Sequence, residues 1–320
     1  MQDKNHNYIL SKKLDLNLIK FPIIFPIIYG LSLYSFPNYE NFIIFISLLL
    51  LAEPHFGATW PFFLDKNNIS EIKTKKTIYI YIPLLIVIFS FIGFFYFNSF
   101  FLLIFFAINM YHVTRQSYGI CKLYKTNEKE LIYQENLIYF INGVFFLIGI
   151  LRFYIPIINF ENIIQLNLII IFSLTIIFIY YYFKFKNFHN LLTLITGSII
   201  FLPICFVDKP IHAILMGVTM HYTQYLALTF KIFKKRETNN PMSIINIKGI
   251  LNSRFFLIIL FYGFVMTMLS SYFTNIGDQA VKSLIVIPII GQMLHFYLDS
   301  QLWKFSVKHN RDVTLKHLYS

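Results

Sequence analysis

Residues Thr77–Phe97 read TIYIYIPLLIVIFSFIGFFYF, 21 positions without one charged side chain, preceded by Lys73, Lys75 and Lys76. As a helix this stretch is about 30 Å long, the thickness of a bilayer's hydrocarbon core. Similar stretches recur along the chain. We read ten apolar segments, at 15–36, 41–64, 77–97, 99–118, 136–155, 165–185, 190–207, 210–232, 254–274 and 280–303. Composition agrees: of 320 residues, 57% are hydrophobic, 19% aromatic and only 13% charged. Soluble domains carry about 25% charged residues, so too little charge is present to cover a water-facing surface. The sequence predicts one integral-membrane domain, 1–320: an all-α, polytopic transmembrane helix bundle of about ten helices. Two Cys and 12 Gly exclude a disulfide scaffold and a collagen-like repeat.

The net charge of +12 invites a nucleic-acid reading until its position is examined. With a cytoplasmic N-terminus, 23 of the 27 basic residues fall in inside stretches. Arg152, Lys209 and Lys282 fall outside, and Arg115 lies within a segment. Such asymmetry is the positive-inside rule, so both termini are expected to be cytoplasmic. The cations then face anionic lipid heads of the bilayer rather than nucleic acid. The first segment follows a basic, polar stretch and lacks a small-x-small cleavage site, which predicts a retained helix rather than a signal peptide. No organelle address is visible, and the expected location is a prokaryotic inner membrane, crossed many times. Cys121 and Cys205 fall at opposite faces, too far apart for a disulfide. The basic connection 233–253, with Asn239-Asn240-Pro241, reads as a cytoplasmic loop.

Once orientation is assigned, the scarce polar residues become readable. Five of the nine histidines, His6, His189, His212, His309 and His317, fall at segment ends or in loops. His55, His112, His221 and His295 lie well inside segments two, four, eight and ten, all running from outside to inside. They come 14, 13, 11 and 15 residues after the outer starts of those segments. That spread is about 6 Å, little more than one helical turn. Four imidazoles at one depth are what a metal held by several helices requires, since intramembrane ionisable residues generally face the bundle interior. Positions three and four residues away share a face. That rule places Asn109 above His112 with Arg115 and Gln116 below, and Gln224 with Tyr225 below His221. Thr59 falls below His55, and Asp299 below His295, with Gly291 and Gln292 above it. Thr59, Gln116, Gln224 and Asp299 are spaced to accept the second ring N–H that a metal-bound histidine gives away.

Boxes of the H-x-x-x-H kind, an H-E-x-x-H zinc-protease motif and a mid-membrane Lys for a Schiff base are all missing from the sequence. Four neutral imidazoles without an obvious carboxylate ligand suit a single Fe(II), and Zn or Cu less well. A structural polar core and a proton or ion path are the competing uses of the same residues.

Pro54-His55-Phe56-Gly57-Ala58, Tyr111-His112-Val113, Met220-His221-Tyr222-Thr223-Gln224-Tyr225 and Leu294-His295 resemble, in order, the histidine motifs of the Brp/Blh-type β-carotene dioxygenases. The separations are similar too, 57 residues from His55 to His112 and 109 from there to His221. The resemblance covers the motifs within residues 50–300. Phe56 stands inside the first motif, Val113-Thr114-Arg115 follow His112, and Tyr225 occupies the place of a second histidine in the third. Either His295 supplies a fourth ligand or the site has three histidines. The resemblance implies a multi-pass membrane non-haem iron enzyme that uses O₂ to cleave a long apolar substrate such as a carotenoid. Tyr225 and Asn109 are then the candidates to orient oxygen or water. The alternative class is a transporter or proton-conducting protein built on the intramembrane His and Asp residues. For that class Glu53 and Asp299 would titrate, and Pro54, Pro203 and Pro288 would mark helix breaks.

Overall fold

A computed structural model of the chain describes residues 8–63, 66–124, 126–157, 160–239, 254–272 and 283–319. Lys4, His6, Lys125, Lys248, Lys282 and the part of the basic connection from Asn240 through Pro241 to 253 lie outside the described residues. Every regular element among the described residues is helical. An apolar surrounding leaves backbone N–H and C=O groups no water to bond, and only a helix satisfies them within one segment.

In chain order the helices are α1 (Lys12–Lys20), α2 (Ile24–Ser35) and α3 (Pro37–Phe63). They continue with α4 (Lys66–Thr74), α5 (Thr77–Tyr96), α6 (Asn98–Leu123), α7 (Glu128–Tyr154) and α8 (Phe160–Phe185). The remainder are α9 (Phe188–Ile199), α10 (Pro210–Asn239), α11 (Arg254–Thr267), α12 (Ser283–Leu302) and α13 (Lys308–Val313). Among the described residues five helices are long and apolar enough to cross a membrane: α3, α5, α7, Gln165–Phe185 of α8, and α12. The pair α1 and α2, bent by 56°, makes a sixth if it is one broken span. Helices α6 and α10 are as long but less apolar, because Asn109, His112, Arg115 and Gln116 interrupt one, and His221, Thr223 and Gln224 the other. In α5 and in Gln165–Phe185 only 11% of the apolar window is buried within the protein. Leu85, Phe172 and Phe183 project outward there, each more than 60% exposed. A surface of that kind belongs in lipid.

Prolines set the local irregularities. Five π-helical turns occur among the described residues, and four of them end two residues before a proline. Asp15–Lys20 precedes Pro22, Leu48–Ala52 precedes Pro54, Thr77–Tyr81 precedes Pro83, and Ile150–Tyr154 precedes Pro156. Proline lacks an N–H, and its ring collides with the carbonyl four residues back. A wider turn ahead of it relieves that collision; the helix continues through Pro54 and Pro83 and ends before Pro22 and Pro156. The turn at Leu48–Ala52 delivers the short helical run Glu53–Gly57, which carries His55.

The chain divides into two compact units, one of Met1–Glu40 with Asn109–Gln224, the other of Asn41–Ile108 with Tyr225–Ser320. In the first, several buried polar residues bond to one another and to the backbone. The Asp15 carboxylate accepts from the backbone N–H groups of Ile9 and Leu10, both at 2.7 Å, and from the Tyr124 hydroxyl. Tyr181 donates to Glu130 at 2.6 Å, and Asn190 donates to the same carboxylate oxygen. Arg152 bonds the Ile204 carbonyl and Asp208. His212 lies between the Tyr29 hydroxyl on Nδ1 and Glu40 on Nε2, while Lys209 donates to both oxygens of Glu40. Cys121 and Cys205, both in this unit, are free and buried.

The second unit packs α11 onto α3 through glycine. A Cβ on Gly263 would stand 2.9 Å from the Pro54 ring, and one on Gly57 2.8 Å from the Tyr262 ring. At its other end Arg236 donates to the Val313 carbonyl and to Thr314 with its guanidinium over the Phe62 ring, and Lys231 donates to the Leu318 carbonyl. These bonds tie the segment after α12 to α10.

In the first unit the tightest approach is Gly217 of α10, where an added Cβ would lie 1.8 Å from the Ile200 carbonyl oxygen. Neither backbone can yield cheaply. Gly217→Ala is expected to destabilise the protein by about 3 kcal/mol, the upper end for an overpacked core. Gly143 in α7 has open space where its Cβ would go. Gly143→Ala is expected to be neutral or to stabilise by up to about 1 kcal/mol, the helix-propensity gain. Thermal unfolding of both variants in detergent measures the contrast.

Candidate metal centre

Each unit brings two of the four intramembrane histidines together. In the first unit His112 on α6 and His221 on α10 have ring centroids 5.8 Å apart and planes nearly perpendicular, at 88°. Both are buried, at 7% and 2% exposure. Asn109 is buried one turn before His112. Gln224, spaced to serve His221, instead donates its amide N–H to the Ile19 carbonyl at 2.6 Å. A backbone carbonyl near the α1 break needs that donor, which fixes α10 against the N-terminal segment. Gln116 is half-buried on α6.

In the second unit His55 on α3 and His295 on α12 are fully buried, with ring centroids 4.6 Å apart. The Tyr225 ring stands 4.5 Å from His55 and 5.6 Å from His295. Phe56 covers His295 at 5.2 Å and continues onto Phe296, which meets Phe105. Aromatic rings thus stand around the pair. Thr59 Oγ1 lies 2.7 Å from His295 Nδ1 and 3.1 Å from the Tyr225 hydroxyl, which donates to Asp299 Oδ1.

Helical spacing places Thr59 beneath His55, but the structure puts it against His295. The α-helical run carrying His55 ends at Gly57, and Ala58 and Thr59 form a turn before Trp60–Phe63 resumes the helix. A residue in a turn does not follow the four-residue face rule. Asp299 lies one turn from His295 on regular helix, with a carboxylate oxygen within 4.8 Å of a ring nitrogen, and it accepts the hydrogen bond that Tyr225 donates.

Four further polar residues gather near this pair, of which spacing places only Gln292 beside His295. Glu53, fully buried, sits two residues before His55, and one of its oxygens lies 3.4 Å from both the Ser270 hydroxyl and the Gln292 amide. Tyr262 reaches the same neighbourhood, where a Cβ on Gly291 would lie 2.6 Å from its hydroxyl. The sequence signal was an acid next to Pro54-His55 and a Gln at i−3 from His295. Ser270 and Tyr262 left no signal, since nothing local ties α11 to α12.

The buried histidines could hold a metal ion. The donors are imidazole nitrogens with, beside His295, a carboxylate oxygen of Asp299, a nitrogen-rich set that suits Fe, Zn or Cu rather than the oxygen-seeking Mg or Ca. Comparison with protein-family profiles, with curated protein sequences and with solved structures finds no match to this chain.

The Tyr225–Asp299 contact yields a direct test of coupling. Tyr225→Phe and Asp299→Asn each remove or weaken a buried hydrogen bond to a carboxylate, expected to cost about 1–3 kcal/mol. The double variant is expected to lose less than the sum, with a coupling of about 1–3 kcal/mol read from unfolding in detergent. Strict additivity would contradict the contact.

Proposed function

We propose that the chain is a membrane-embedded, histidine-ligated non-haem iron oxygenase acting on a long apolar substrate, in the manner of the carotenoid-cleaving dioxygenases its motifs resemble. Its topology in this reading is about ten transmembrane helices with both termini cytoplasmic, in a prokaryotic inner membrane. The iron ligands are drawn from His55, His112, His221 and His295. The observation that supports this most is that each unit buries a pair of these histidines ring to ring. Two imidazoles converging in each place are readily explained by a shared cation.

Iron bound there would supply the redox chemistry that inserts O₂ into a C=C bond. The protein's part is to bind, orient and exclude water. Phe56, Phe105 and Phe296 form an apolar wall beside His55 and His295, suited to a hydrocarbon chain arriving from the lipid. Asn109, buried near His112, is placed to orient a small polar species. Tyr225 holds its proton towards Asp299, so its role in this reading is to fix its neighbours.

Metal analysis of protein purified from membranes is expected to give stoichiometric iron. His55→Ala and His221→Ala should each lose most of it while the protein still extracts as a monodisperse species. Cells that accumulate a carotenoid should be bleached on expression of the wild type and not of either variant. A wild type without stoichiometric transition metal overturns the enzyme reading. Buried Glu53 and Asp299 favour the second reading, a proton-coupled carrier. A liposome flux abolished by Asp299→Asn, with no metal bound, would establish it.

A further inference from the structure

The second unit contains a chain of hydrogen bonds whose direction can be worked out. It runs from Asp299 on α12 to the Tyr225 hydroxyl on α10, then to Thr59 in the turn of α3, then to Nδ1 of His295. All four residues are at most 3% exposed. Water therefore does not compete for these bonds, and each hydroxyl has a single proton to give.

An ionised carboxylate only accepts. The Tyr225 proton therefore points to Asp299, and the phenol oxygen is left to accept. Thr59 Oγ1 is 3.1 Å away and donates to it, which commits the only proton Thr59 has. At 2.7 Å from His295 Nδ1, the same Thr59 oxygen can now only accept. His295 must supply the proton, so the neutral ring carries its hydrogen on Nδ1 and its lone pair on Nε2. The protonated nitrogen of an imidazole is set by the bond its other nitrogen makes, and here three bonds in series set it.

We propose that Thr59, Tyr225 and Asp299 are positioning residues that hold His295 in the Nδ1–H tautomer and present Nε2 as a metal ligand. Asp299 acts on Nδ1 through two hydroxyls, while its carboxylate also comes within 4.8 Å of a His295 ring nitrogen. This deepens the iron reading and rests on it for its purpose, though not for its geometry. A carboxylic acid at 299 would instead donate to Tyr225 and reverse every bond, leaving the hydrogen on Nε2 and no lone pair there. The two arrangements are chemically opposite and spectroscopically distinct.

The test uses the full chain in lipid bilayers, labelled with ¹⁵N-histidine, metal-free and at neutral pH. The His295 signals are identified by their loss in His295→Gln. Wild type is expected to show protonated Nδ1 and unprotonated Nε2. Thr59→Ser keeps the hydroxyl and should keep this pattern. Tyr225→Phe frees the Thr59 proton to donate to Nδ1, and should move the hydrogen to Nε2 in a substantial fraction of molecules. A wild-type His295 protonated at Nε2, or a Tyr225→Phe protein with the wild-type tautomer, overturns the relay. Titration with Co(II) reads the consequence: Thr59→Val should bind about tenfold more weakly, the lower end for losing an outer-shell partner, and Thr59→Ser should restore binding. Equal Co(II) affinity in Thr59→Val and wild type would also overturn the relay. A wild type with the expected tautomer that binds no metal would instead refute the iron reading and leave the relay standing.

Discussion

Everything in this chain depends on the scarcity of water around it. A polar group that bilayer lipid surrounds must find its partner in the protein or remain uncompensated, at a cost of several kcal/mol. The backbone meets that demand by staying helical, through Pro54 and Pro83 as well. The side chains meet it by clustering, as Asp15 does with two backbone N–H groups and Tyr124, and Glu130 does with Tyr181 and Asn190. These knots are structural, and the chemistry of each is closed. The histidine pairs differ in kind, because imidazoles gathered ring to ring offer electron pairs that can be shared with a cation.

The two pairs also differ in their settings. His112 and His221 sit among helix-internal threonines whose hydroxyls bond back to their own carbonyls, Thr114 to Met110 and Thr223 to Thr219. His55 and His295 sit beside a set of long-range bonds linking three helices of one unit. Orientation of the second pair is therefore determined by residues far apart in sequence. Thr59 meets the His295 ring directly at Nδ1, and Tyr225 stands edge-on to both rings, so the bonds among Thr59, Tyr225 and Asp299 bear on His295 from two helices besides its own.

The helical class was legible because burial in lipid writes itself as long uncharged runs, of which Thr77–Phe97 is the plainest, whereas the helix count was not: the described residues form thirteen helices, five of them long and apolar enough to cross a membrane. The four histidines were legible for the opposite reason, as polar residues where such runs forbid them. Depth along a helix follows from counting, whereas direction around the axis and the identity of the neighbour do not. Hence His55 and His295, far apart in sequence, could be placed at one level but not recognised as ring partners. Thr59 was misdirected by a turn at Ala58 that no apolar periodicity announces. Gln224 was legible as polar and buried, but its engagement with Ile19 depends on a broken α1 carbonyl. Ser270 and Tyr262 escaped because a serine or tyrosine in an apolar helix is ordinary, and only packing through Gly57, Gly263 and Gly291 brings them near Glu53.

The proline-linked π turns have a consequence for how such a chain evolves. Each wide turn takes up an additional residue, and one residue is about 100° of rotation around a helix axis. The helix after Leu48–Ala52 therefore faces a different direction from the one its first half would project. His55 is aimed by this phase shift as much as by its own position. Losing one residue upstream and the proline downstream together would preserve length and hydrophobicity almost unchanged, yet turn the imidazole towards another neighbour. A lineage could thus retire or reassign a ligand by shifting phase, with every histidine still in place.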